Sequence, residues 1–120
     1  MDTFNKSNNN ITHEIFKRNY GVTDNHEQEK LSKATVTVVG AGGVGGITLI
    51  SLARMGIGNI HVIDMDAFEY SNINRQMLSG ISRVNKSKAE CAKETLLDIN
   101  PHLNLKVSCE KLVWNLVDKL

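Results

Sequence analysis

The stretch "VVGAGGVGG" places Gly40, Gly42 and Gly45 at Gly-x-Gly-x-x-Gly spacing. Without Cβ atoms the chain turns sharply there, and its backbone N–H groups come close to an anion. A helix that starts just after the glycines adds unpaired N–H groups and the positive end of its dipole, which together suit a phosphate. Asp64 closes the next apolar run, "IHVID", where an acid accepts hydrogen bonds from ribose hydroxyls. These features serve the diphosphate of a nicotinamide or flavin dinucleotide as well as the phosphates of ATP. The glycines and Asp64 leave that choice open.

Residues further along bear on it. Asp64-Met-Asp66 is followed by "SNINRQ", Ser71 to Gln76, and then by Lys88. Read as a short helix over 71–78 with Ser71 as N-cap, this stretch sets Asn72 and Arg75 or Gln76 on one face. Lys88, at the start of the next helix, reaches towards the same crevice. An arginine and a lysine beside a glycine loop fit a polyphosphate, because charge builds on the leaving pyrophosphate when ATP is used for adenylation. A dinucleotide site balances its diphosphate with backbone and dipole and leaves both cations without a role.

The elements that must position these residues follow from pattern. Asp24 and Glu27 stand at capping-box spacing and predict a helix to about Leu31. Residues 34–39 read as a buried strand, 44–55 as a helix stopped by Gly56 and Gly58, and 60–64 as a second strand. A helix over 86–99 carries Ser87 and Glu90 at capping spacing and stops at Asn100-Pro101. "LNLKVS", 103–108, alternates as a third strand, and 113–120 begins a further element. Strand–helix–strand–helix–strand predicts an α/β, Rossmann-like parallel sheet with flanking helices, here truncated at about the third strand. The expected organisation is a disordered tail over 1–12, a helical arm over 13–32 and a nucleotide-binding part over 33–120.

"GAGGVGG", "DMD", "SNINRQ" and "KAE" at Lys88, in this order and spacing, resemble the ubiquitin-activating-like (E1-like) adenylating superfamily. "ARMGIG", "NINRQ" and "DINP" are similar to its bacterial ThiF-type members, which include sulfur-carrier adenylating enzymes and tRNA threonylcarbamoyladenosine dehydratases. The resemblance implies that Gly40, Gly42 and Gly43 line the phosphates of ATP and that Asp64, with Asp66 beside it, binds the ribose end. It implies that Asn72, Arg75 and Lys88 face the phosphates and that Gln76 supports their turn. Arg18 is the implied arginine that enters the site from a second protomer, with Lys17 as its fallback. The implied reaction uses Mg2+ and ATP to convert a carboxylate into an acyl adenylate. That carboxylate belongs to a ubiquitin-like sulfur-carrier protein or to a modified tRNA base, and the expected assembly is a homodimer. The family's magnesium-holding aspartate is expected beyond Leu120, and no metal ligand is assigned within the chain.

Composition narrows the classes. A net charge of +1 over 120 residues gives no general pull towards nucleic acid or an anionic membrane. Cys91 and Cys109 form no Cys-x-x-Cys pair, which makes a reducing cytoplasm the default, and both read as inert structural thiols. Residues 34–53 carry no charge, but alternation at Thr35–Val38 and the glycine cluster describe a strand, a turn and a helix start rather than a membrane span. The four histidines read as surface or packing residues, and Trp114 as core or interface. Two other functions stand beside the adenylating enzyme: an NAD(P)-dependent oxidoreductase, and a non-catalytic nucleotide-binding or docking module.

Overall fold

The computed structural model of the chain describes residues 11–118 and 120. The expected disordered tail therefore falls mostly outside the described residues, while Ile11 and Thr12 already belong to a helical stretch over 11–16. Three strands, β1 (Thr35–Val39), β2 (Asn59–Ile63) and β3 (Asn104–Ser108), form a parallel sheet in the order β1-β2-β3. Helices α1 (Asn25–Lys33), α2 (Gly43–Met55) and α3 (Lys88–Ile99) precede or connect them, and a short α4 (Trp114–Val117) follows β3.

Local chemistry sets the helix ends. Asp24 Oδ1 accepts the Glu27 N–H at 2.8 Å while Glu27 Oε2 accepts the Asp24 N–H at 2.9 Å, so α1 opens on the expected capping box. α2 buries Gly46, Leu49 and Ala53, spaced at helical intervals, and ends at Gly56, whose φ of 100° is the left-handed cap that glycine adopts freely. Ser87 Oγ accepts the Glu90 N–H at 3.3 Å to open α3.

Register divides the sheet into two chemically different faces. Val36, Ile60 and Leu105 lie side by side, as do Val38, Val62 and Val107. These apolar rows face the core that α2 and α3 complete with Leu49, Ala53, Ala92 and Leu96. The alternate positions, Thr35 with Asn59 and Asn104 and Thr37 with His61 and Lys106, face the other way. That polar face forms a hollow of about 180 Å³, closed in part by Leu120. Helices α2 and α3 thus cover one face only, as right-handed crossovers on one side of a parallel sheet require.

The arm is tied to the far end of α2. Gln28 is buried and its Nε2 donates to the Met55 carbonyl at 3.0 Å, while its Oε1 accepts from Thr23 Oγ1 at 3.0 Å and Asn19 Nδ2 at 3.3 Å. Phe16 is buried beside Gly56. Trp114, expected in a core or interface, is 86% exposed on this chain. Cys91 is buried, which pushes its thiol above the usual range, whereas Cys109 is exposed with its sulfur 3.4 Å from Ser87 Oγ.

Two expectations follow from this packing. A Cβ at Gly45 would stand 1.7 Å from the Gly40 carbonyl oxygen, while one at Gly43 meets nothing within 4 Å. Gly45→Ala should lower unfolding stability by about 3 kcal/mol and Gly43→Ala should leave it unchanged, as read by denaturant titration. His61 is buried and shares a 2.7 Å hydrogen bond with Ser108 Oγ. Burial and nearby Lys106 hold its pKa below the ordinary histidine value, with Glu110 opposing them. The unfolded chain therefore takes up the proton first as pH falls, and stability is lost below about pH 6.5. The thermal midpoint should drop more between pH 7 and 5 in the native chain than in His61→Gln.

Candidate functional site

β1 delivers the chain to Gly40, whose φ of 96° makes the turn and whose N–H donates to the Ile63 carbonyl at 2.8 Å. Ala41 is fully buried, and its N–H donates to Asp64 Oδ2 at 2.8 Å. Gly42 is the N-cap of α2 and supplies no side-chain cap, so the N–H groups of the first turn have neither an intrahelical nor a side-chain partner. The glycines divide their work. Gly45 lets the helix close on the Gly40 carbonyl, and Gly42 lies under the flat amide of Gln76 at 3.7 Å from where a Cβ would stand. Gly40 and Gly43 instead border open space. The result is a shelf of backbone donors at the positive end of a helix, open to an anion.

Asp64 stands at the C-terminal edge of β2 beside this shelf. Its Oδ2 holds Ala41 and its Oδ1 accepts the Asp66 N–H at 2.7 Å, so one carboxylate joins the glycine turn to the segment that leaves β2. Each oxygen keeps a further acceptor position. Asp66 has an exposed side chain, and its carbonyl accepts the Lys88 N–H at 2.9 Å.

The stretch expected as a helix over 71–78 is a different structure. A single 3-10 turn, Tyr70–Asn72, is capped by Glu69, with Ser71 inside the turn rather than before it. Asn72 is buried, its Oδ1 accepts the Glu69 N–H at 2.9 Å, and its carbonyl accepts the N–H groups of Arg75 and Gln76 at 3.3 and 2.9 Å. Asn72, Arg75 and Gln76 thus share a knot of turns and no helical face, because Asn72 spends its side chain on the backbone. Arg75 is exposed and Nη1 donates to the Ser71 carbonyl and Asn74 Oδ1 at 2.9 and 3.0 Å. Gln76 is 7% exposed, and its buried Oε1 has no hydrogen-bond partner.

Lys88 is the first residue of α3 and is 9% exposed. Its Nζ lies 5.6 Å from the centre of the Phe68 ring, and among the described residues no carboxylate reaches ion-pair distance of it. The ring contributes roughly 0.5–1 kcal/mol to a cation that keeps contact with water, and the ammonium remains free to meet an anion. Phe68 has no motif of its own in the sequence; an aromatic beside the acids of the connection is its only signal.

Gly40, Gly42, Gly43, Asp64, Asp66, Asn72, Arg75, Gln76 and Lys88 are therefore gathered at one edge of the sheet, linked through the contacts above. Arg18 is not among them. It lies in the 3-10 turn Lys17–Asn19, and Asn19 Nδ2 donates to the Met55 carbonyl at 3.3 Å, at the opposite end of α2. Thirteen helical residues separate the two ends by about 18 Å, beyond reach of this chain's own glycine loop. No group of three His, Cys, Asp or Glu able to hold a metal ion occurs among the described residues. Among the described residues no helix is long and apolar enough to cross a membrane.

Known proteins share this arrangement. The chain is 40% identical over 80 residues to the probable adenylyltransferase/sulfurtransferase MoeZ of Mycobacterium tuberculosis, covering 67% of this chain and 20% of that protein. It is 42% identical over 80 residues to the probable molybdopterin-synthase adenylyltransferase of Porphyra purpurea, covering 67% and 21%. The E. coli tRNA N6-threonylcarbamoyladenosine dehydratase TcdA, solved in complex with ATP, superposes with a TM-score of 0.85 at 32% identity, over 89% of this chain and 44% of that one. The chain thus spans about a fifth of these curated relatives and less than half of TcdA. The ThiF family model matches residues 16–119. The match extends over nearly all of the described fold, and the chain belongs to the ThiF family, within the E1-like adenylating superfamily.

Proposed function

We propose that this chain is the ATP-binding part of an E1-like enzyme that activates a carboxylate as an acyl adenylate. The observation that carries the reading is Lys88: a largely buried lysine with no carboxylate partner among the described residues, joined through its backbone N–H by a short chain of hydrogen bonds to an open shelf of helix N–H groups. The space at Gly43 is also free for a phosphate. The named activities of MoeZ and the Porphyra protein, and the ATP complex of TcdA, support the same assignment.

In the proposed reaction a carboxylate oxygen attacks the α-phosphorus of ATP. The bond from that phosphorus to the bridging oxygen breaks, and pyrophosphate leaves with the electron pair. Gly40, Gly42 and Gly43 hold the phosphates through backbone donors, and Asp64 with Asp66 holds the ribose end. Asn72 and Gln76 keep their turn against the glycines, while Arg75 and Lys88 stabilise the charge that develops on the departing pyrophosphate. Mg2+ arrives with the triphosphate, whose oxygens are its natural ligands. The carboxylate belongs to a carrier protein's C-terminus, as the sequence likeness to MoeZ favours, or to a modified tRNA base, as the structural likeness to TcdA favours. The assembly is a cytoplasmic homodimer in which the partner subunit's Arg18 completes each site.

Calorimetric titration with Mg-ATP and, separately, NAD tests the nucleotide. ATP should bind and NAD should not; the reverse would return the site to a dinucleotide oxidoreductase. Lys88→Met and Arg75→Ala should each weaken ATP binding by about tenfold or more, the worth of one charge-assisted hydrogen bond. Gly43→Ala should weaken it similarly while leaving the fold intact. For the dimer, Arg18→Ala and Lys88→Met chains should each fail to exchange pyrophosphate into ATP when supplied with the carboxylate substrate. Mixing them should restore activity, since one of the two sites in a mixed dimer regains both cations; no recovery would place Arg18 outside the reaction.

A further inference from the structure

The segment between β2 and α3 carries Asn72, Arg75 and Gln76, yet beyond its two 3-10 turns, Tyr70–Asn72 and Ile81–Arg83, it has almost no regular structure. Two isolated bridges, Ala67 with Ser87 and Phe68 with Val84, hold its two ends together. Its middle needs another anchor, because each turn hydrogen bond there is local and fixes shape without fixing position. Arg83 provides a long-range one. Its Nη1 donates to the Leu78 carbonyl at 2.8 Å and to Thr95 Oγ1 on α3 at 2.7 Å, and Nη2 lies 3.7 Å from Glu94 Oε2. The Arg83 side chain is 23% exposed and the Glu94 side chain 70%, so the neutral bonds to Leu78 and Thr95 carry more weight than the ion pair.

Both ends of this contact lead to the proposed phosphate groups. Leu78 is fully buried, and its side chain packs where a Cβ at Gly46 would stand, 3.4 Å away, on the helix that begins at the glycine shelf. Two residues earlier, Gln76 covers Gly42. On α3, Thr95 lies seven residues after Lys88, two helical turns along the same face. The guanidinium therefore locks the turn that carries Arg75 and Gln76 to the helix face that carries Lys88.

We infer that Arg83 is a positioning residue that sets the separation between the Arg75–Gln76 turn and Lys88, and thereby favours a triphosphate over a monophosphate nucleotide. The inference rests on the ATP-binding reading. AMP relies on the glycine shelf and Asp64, which Arg83 does not touch. The additional phosphates of ATP need both cations at a set spacing, and that spacing is what Arg83 holds.

Titration of the full chain and its Arg83→Met, Arg83→Lys, Thr95→Val and Thr95→Ser variants with Mg-ATP and with AMP tests it, with thermal midpoints measured alongside. Arg83→Met should weaken ATP by about tenfold and AMP by less than twofold, the loss of two side-chain hydrogen bonds acting through the cations. Thr95→Val should shift the ATP-to-AMP ratio in the same direction by a smaller factor. Arg83→Lys and Thr95→Ser, which retain donor and acceptor, should recover most of it. Equal weakening of ATP and AMP, or no change in either, would overturn the inference while leaving the nucleotide reading in place. Failure of the unaltered chain to bind ATP would instead sink the nucleotide reading and this inference with it. Should Arg83→Met not fold, the Thr95 pair decides the question by the same ratio.

Discussion

The Asp64 carboxylate is the contact on which the rest of the site hangs. Parallel strands bring their C-terminal ends to one edge, so the turn after β1 and the exit from β2 emerge side by side. Asp64 converts that proximity into a fixed geometry, with one oxygen on the Ala41 N–H and the other on the Asp66 N–H. Ala41 is fully buried, and its N–H would otherwise be an unpaired donor inside the protein, at a cost of roughly 1–3 kcal/mol. The axis of α2, the start of the long connection and, through the Asp66 carbonyl, the first turn of α3 all take their position from this latch.

Around the latch, tight and open places alternate. Gly45 and Gly58 are contacts where a Cβ would collide with backbone, 1.7 Å from the carbonyl oxygens of Gly40 and Ser32. They fix how closely helices approach strands. Gly40 and Gly43 face space, and there the missing side chains leave backbone donors accessible. The polar groups follow the same division. Asn72 Oδ1 and the Arg83 guanidinium hold the connection, whereas Gln76 Oε1 is buried without a partner and Lys88 has no carboxylate partner among the described residues.

The remaining surfaces fit the family's architecture. β1 lies at one edge of the sheet, and its Val39 is 54% exposed. The polar rows through His61 turn away from α2 and α3, and Leu120 borders the hollow they form. The described part thus forms one layer of helices on a sheet, with the glycine turn, Asp64 and Lys88 at its C-terminal edge.

Much was legible in the sequence because it depends on near neighbours. The capping pairs at Asp24 and Ser87, the glycine stop at Gly56 and the alternation of the strands act over a few residues, and the helices and strands begin and end within a residue or two of their expected places. The glycine spacing, Asp64 and the two cations, in their order along the chain, likewise announced the family. What only the tertiary structure decided lies in the connection between β2 and α3. Its turns are local, but their position rests on contacts between residues distant in sequence, Gln76 on Gly42 and Arg83 on Thr95, and helical periodicity misread Ser71 to Leu78 because Asn72 hydrogen-bonds the backbone instead of presenting a face. Burial is equally non-local. The sequence places Lys88 at a helix start near the crevice, but only packing shows that its side chain is largely enclosed, with Nζ over the Phe68 ring, because the ring arrives from elsewhere in the connection.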